Sequence, residues 1–273
     1  MSRGPARTPV LARRAVPAAR QASEWALATS GALLGVLLGL AWFAPARWLA
    51  AAVAHSQVVQ LESPRGTLWS GSARLWLVGG AGSADRAVLA PRLHWQLQPS
   101  WSGVSLVLRA DCCTPQPLRL TLGWTDGGPA LKLDDASSHW PAEVLIGLGT
   151  PWNTLQPAGR MALQTQGLAL GWRGQRLHLS GSAALELQDL SSALSTLQPM
   201  GSYQVKLVGG EQPALNLSTL RGDLLLSGQG QWRPQGLQFR GEARAAPGRE
   251  DALANFLNIV GKRDGARTLI SLG

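Results

Sequence analysis

The residues able to do chemistry are few and widely spaced. The four histidines, His55, His94, His139 and His178, stand far apart in the chain, whereas a metal centre needs His, Cys or carboxylate ligands in a cluster. His94 and His178 fall on the polar side of alternating segments, which reads as solvated surface. Asp134 and Asp135 are adjacent carboxylates that could pair as general acid and base or hold a cation. Neighbouring residues of a strand face opposite ways, so a solvated turn is the simpler reading. The glycine-rich run at 79–82 has no helix-forming sequence behind it, so a phosphate cradle is not expected. No His-Glu-x-x-His, Gly-x-Ser-x-Gly or Walker-type signature occurs. A hydrolase therefore has no supporting constellation, and the expectation is a non-enzymatic protein with no cofactor and no metal site.

Cys112 and Cys113 are the only cysteines and are neighbours. Redox and metal motifs normally separate their cysteines by two residues. In an oxidising compartment this pair could close a strained local ring or bridge to another chain. A local structural disulfide is the favoured reading.

The elements that must position these residues begin with a membrane signal. Arg3, Arg7, Arg13, Arg14 and Arg20, against Glu24 alone, hold much of the net charge of +9. The rest of the chain is only mildly basic, so no nucleic-acid partner is required. From Trp25 to Ala44 no residue is charged, and a helix of that length rises about 30 Å, the thickness of the hydrocarbon layer. Trp25, Trp42, Phe43 and Trp48 lie at its ends, where amphipathic rings favour the interface. The expectation is a basic cytoplasmic tail at 1–24, a membrane helix at 25–46, a linker at 47–60, and everything beyond on the far side of the membrane. The rival is a signal peptide cleaved after Ala52-Val53-Ala54; the apolar run is longer than such peptides use, and Arg47 and Trp48 intervene. Gly31, Gly35 and Gly39 recur every fourth residue and make a narrow small stripe suited to packing against another membrane helix.

Beyond residue 60 the apolar period is two. Val104, Leu106, Leu108 and Ala110 alternate with Ser105, Val107 and Arg109, and the rhythm returns at Leu118/Leu120/Leu122/Trp124, Leu168/Leu170/Trp172, Leu185/Leu187, Tyr203/Val205/Leu207 and Leu237/Phe239. Such alternation marks half-buried antiparallel strands. Hydrophobic residues make up 45% and charged residues 15%, against about 25% charged in ordinary globular chains, so a disordered chain is excluded. The fold class is mainly β: an antiparallel, strongly curved sheet or a sandwich. Two halves, 61–150 and 151–273, are expected, with one continuous sheet through both as the alternative. Leu253, Phe256, Leu257 and Val260 predict one short amphipathic helix over Glu250–Val260. A second short helix is expected near Pro141–Leu148, with Ser138 as a cap. Of sixteen aromatic residues twelve are Trp. A base-stacking platform would need a basic groove, so core and rim packing is the better account.

One motif carries a family resemblance. Gly66-Thr67-Leu68-Trp69-Ser70-Gly71, just after the apolar stretch, resembles an element of type II secretion system protein N. Gly149-Thr150-Pro151-Trp152, Leu197-Gln198-Pro199-Met200-Gly201-Ser202-Tyr203 and Thr219–Gly230 are similar to later blocks of that family, and the resemblance covers about residues 20–270. It implies a bacterial inner-membrane protein, single-pass, with its N-terminus cytoplasmic and its body periplasmic. It implies protein secretion through contacts with other inner-membrane components of the system, and no catalytic residues. The alternative is a periplasmic β-groove protein that binds or shuttles lipid, since alternation does not say whether the apolar face closes on itself.

Overall fold

The computed structural model describes residues 18–80, 84–101, 103–125, 127–173, 176–233 and 236–272. Most of the basic tail expected at 1–24, and part of the glycine-rich run at 79–82, lie outside them. The chain divides into two compact units, up to Ala44 and from Pro45 onward.

The first unit contains helix α1, Ala18–Trp42. Its described side chains from Leu33 to Leu40, and Trp42 beyond them, are mostly exposed and apolar. The membrane helix expected over 25–46 needs correction at its end. Pro45 is extended, with φ −72° and ψ 148°, and a separate helix α2 spans Ala46–Ala54, because proline lacks the N–H that would continue α1. Among the described residues no helix is long and apolar enough to cross a membrane. Helix α2 also occupies most of the expected linker.

The second unit is built on strands β1 (Val59–Gly66), β2 (Ser70–Val78), β3 (Arg86–Ser100), β4 (Gly103–Ala110), β5 (Leu118–Thr125), β6 (Gly128–Leu133) and β7 (Ala136–Pro141). A 3-10 helix (Ala142–Leu148) and the single turn α3 (Trp152–Leu155) follow. Then come β8 (Ala158–Arg173), β9 (Arg176–Ser191), β10 (Gly201–Gly210), β11 (Ala214–Gly222), β12 (Leu224–Arg233), β13 (Gly236–Ala245), helix α4 (Glu250–Val260), β14 (Lys262–Asp264) and β15 (Arg267–Leu272).

All fifteen strands join one antiparallel sheet in the order β1-β2-β3-β4-β5-β6-β8-β9-β10-β11-β12-β13-β15-β14, with β7 paired to β8 beside this path. The expected antiparallel β class is observed; the expected strong curvature or sandwich is not. The sheet is not strongly curled or closed, and its end strands β1 and β14 have no mutual pairing. Most strands pair with their neighbours in sequence, which leaves nothing to fold a second layer back. The order departs from the sequence twice: β15 lies between β13 and β14, and the long strand β8 takes both β6 and β7. Its Gln164 side of the bulge near Gly167 pairs with β7, and Ala169–Gly171 pair with β6.

Helices cover parts of one sheet face. Under α2, Ala46, Ala73 and Trp95 are buried with Leu49, Leu61, Leu106 and Leu108 around them. The 3-10 helix buries Ala142 and Val144 against Met161. It begins at Ala142 with Pro141 before it; Ser138 is not its cap but a buried strand residue that accepts the Trp140 indole N–H at 3.0 Å. The largest core lies under α4, where Leu253, Phe256 and Leu257 meet Met200, Tyr203, Leu224 and Ala243. Helix α4 has the predicted bounds, with Glu250 and Asp251 in its first turn where the dipole favours acid.

Candidate functional site

The motif Gly66–Gly71 forms the tight turn between β1 and β2. Thr67 ties it from inside: its N–H donates to the Ser70 carbonyl at 2.8 Å, and its hydroxyl accepts the Ser70 N–H at 3.1 Å. Gly66 has φ +89°, a left-handed conformation that suits glycine. Gly71 is needed for space, since a Cβ there would lie 2.5 Å from the Trp95 ring and 2.6 Å from the Arg65 carbonyl. Leu68 and Trp69 offer their carbonyls, to the Trp95 indole N–H at 3.1 Å and to the Leu97 N–H at 2.7 Å. Pro45 bridges to Thr67, so the turn also fixes the start of α2. The motif is thus a clasp joining β1, β2, β3 and α2, with its polar groups used within the fold.

Cys112 and Cys113 are joined by a disulfide, S–S 2.10 Å. Cys112 is exposed and Cys113 is buried beside Ala90, Ala110 and Trp140. Backbone bonds seat the turn: the Cys113 N–H donates to Ala110 O at 2.9 Å, and the Cys113 carbonyl accepts from His139 N–H at 2.7 Å. At Gly31, Gly35 and Gly39 an added Cβ would meet nothing within 4 Å, so the stripe is open among the described residues. Within the second unit the clasp packs around Trp95 and the cysteines pack beside Ala90 and Ala110, so the two do not form one site.

The other candidates are structural. Among the described residues no three His, Cys, Asp or Glu side chains come together as a cation site. Asp134 faces Arg119 and Lys132, each at 3.7 Å, while Asp135 accepts the Gly167 N–H at 2.6 Å and holds the β8 bulge. Those two carboxylates serve different partners and make no acid–base pair.

Two features escape sequence reasoning. Asp189, at φ +52°, receives Arg221 at 2.6 Å and Arg160 at 3.3 Å, and its N–H donates to the Ser202 hydroxyl at 3.0 Å. These residues are far apart in the chain, and only the β8-β9-β10-β11 order makes them neighbours. Tyr203 is fully buried and its hydroxyl has no hydrogen-bond partner among the described residues. Burial, with a smaller contribution from the Asp223 charge, pushes its phenol well above the ordinary tyrosine range. The alternation marked Tyr203 as inward-facing but carried no sign that its hydroxyl would be unpaired.

Residues 57–269 match the family model described as type II secretion system (T2SS), protein N. No curated protein and no solved structure matches the chain significantly.

Proposed function

The chain belongs to the type II secretion system protein N family, and from that premise we propose that it works in the inner membrane as a non-enzymatic, contact-making part of the machinery. Membership makes it a secretion component and implies interaction with other components of the system. The finer reading is a single-pass anchor at Trp25–Ala44, a basic cytoplasmic tail and a periplasmic body. The observation that carries it is the family match over most of the chain, with an uncharged twenty-residue stretch directly ahead of it. The arginines before that stretch support a cytoplasmic N-terminus. The Gly31/Gly35/Gly39 stripe would pack on a partner helix in the membrane.

The lipid-trough alternative loses its geometric support. A trough needs a curled sheet, and this one is not strongly curled; three segments of its apolar face are closed by α2, the 3-10 helix and α4. Co-purification of the full chain from mild detergent tests the choice. Recovery with other membrane components of the secretion system is expected. Recovery with phospholipid alone, and none of those proteins, would overturn the contact reading.

A further inference from the structure

The antiparallel order of the sheet divides its turns between two ends. The β1–β2, β3–β4, β5–β6, β8–β9, β10–β11 and β12–β13 turns all fall at one end, because each closes a hairpin of the same sense. The exposed tryptophans of this unit gather there. Trp101 lies in the β3–β4 turn and is fully exposed. Trp124, 78% exposed, is one residue from the end of β5; Trp172 and Trp232, each 44% exposed, are one residue from the ends of β8 and β12. Trp48, 50% exposed, stands in the first turn of α2, three residues after Pro45, which bridges to the β1–β2 turn at the same end. Among the described residues the opposite end has no exposed tryptophan.

At about 4.8 Å per strand, β5 and β8 lie about 10 Å apart and β8 and β12 about 19 Å apart. The rings of Trp101, Trp124, Trp172 and Trp232 therefore form a row of separate tips at one level, with the β1–β2 turn lower, level with Leu97. Anchors for a protein partner cluster at the centre of a packed patch; a spaced row of amphipathic rings suits a flat, laterally fluid surface. Arg47 is exposed in the first turn of α2, and Arg173, Arg176 and Arg233 are residues of the strand termini at this end, against Glu211 in the β10–β11 turn. That balance favours anionic headgroups. The sheet unit also begins at this end, at Pro45, the residue that follows Trp25–Ala44 in the chain.

We propose that the tryptophan-bearing end of the sheet seats on a lipid bilayer, with Trp101, Trp124, Trp172 and Trp232 at headgroup level. This builds on the anchored reading of Trp25–Ala44: a chain held in the bilayer there would bring this end to the surface. The rim would fix the height and tilt of the sheet, which a single helix alone does not.

The test uses the full chain in vesicles of phosphatidylethanolamine and phosphatidylglycerol, with brominated phospholipid as quencher of tryptophan emission. In a W25F/W42F/W48F chain the rim remains and brominated lipid still quenches. Adding W101S/W124S/W172S/W232S lowers the quenched fraction about three-fold, since the remaining rings sit within the fold. Equal quenched fractions in the two chains, or none in the first, would overturn the rim. Because the first chain leaves the sheet unit intact beyond α2, misfolding of the second cannot rescue the proposal. Retention through an alkaline carbonate wash reports separately on the anchor. A retained but unquenched chain keeps the anchor and sinks the rim; a quenched chain that washes out does the reverse; a chain that fails both tests sinks both.

Discussion

The Trp95 indole N–H donates to the carbonyl oxygen of Leu68 at 3.1 Å, and the same ring leaves no room for a side chain at Gly71, where a Cβ would lie 2.5 Å from it. One aromatic residue in β3 thus sets the shape of the β1–β2 turn that a sequence motif marks. A small residue at 71 and a large indole at 95 are two halves of one fit.

Replacing Gly71 with Ala overfills this contact, because both nearest neighbours, the Trp95 ring and the Arg65 carbonyl, belong to ordered structure. The expected loss is about 1–3 kcal/mol, read as a lower denaturation midpoint. Trp95→Ala should cost about 3–5 kcal/mol through the cavity under α2. Gly71→Ala in a Trp95→Ala background should then cost less than in the native chain, keeping only the part that comes from the Arg65 carbonyl. Additive losses would show that the fit is not the constraint.

Tyr203 carries a buried hydroxyl without a partner, and an unpaired buried polar group costs about 1–3 kcal/mol. Tyr203→Phe is therefore expected to leave stability unchanged or raise it, with a higher melting temperature. A clear loss of stability would mean that the hydroxyl is satisfied.

The same residue makes a pH prediction. Its folded-state pKa is raised above the unfolded value of 10.0, so its contribution is fully present below pH 10 and is lost as pH rises beyond it. Tyr203 is the only tyrosine, so phenolate absorbance follows it alone. Absorbance should rise only together with alkaline unfolding. A phenolate titrating near pH 10 in the folded protein would refute the burial.

The Cys112–Cys113 disulfide closes no loop of intervening residues, so it constrains the unfolded chain little. The backbone bonds that seat Cys113 do not need the sulfur bridge. Reduction is expected to shift the melting temperature by no more than about 2 °C, and non-reducing electrophoresis should show a monomer band. A reducible dimer band would point instead to bridging between chains.

In the first helix, Gly35→Ile would fill the open stripe with a branched side chain. Association in a membrane two-hybrid assay should fall markedly. An unchanged signal would remove the stripe from the contact surface.

Local pattern was enough for much of this protein. Period-two alternation reports which side chains share a face, so the antiparallel β class could be read from Val104–Ala110 and Leu118–Trp124, and the spacing Leu253/Phe256/Leu257/Val260 yields helix α4 with its observed bounds. The turn at Gly66–Gly71 and the adjacent cysteines are equally local. Alternation is silent on which strand lies beside which, and that choice belongs to the tertiary structure. Pairing alone carries the sheet through β6 and β8 without a second layer, brings Arg160 and Arg221 to Asp189, and sets Gly71 against Trp95. The row Trp101, Trp124, Trp172 and Trp232 appears only once hairpin sense is known, because residues more than a hundred positions apart share one end of a sheet through its hydrogen-bond order and not through any nearness in the chain.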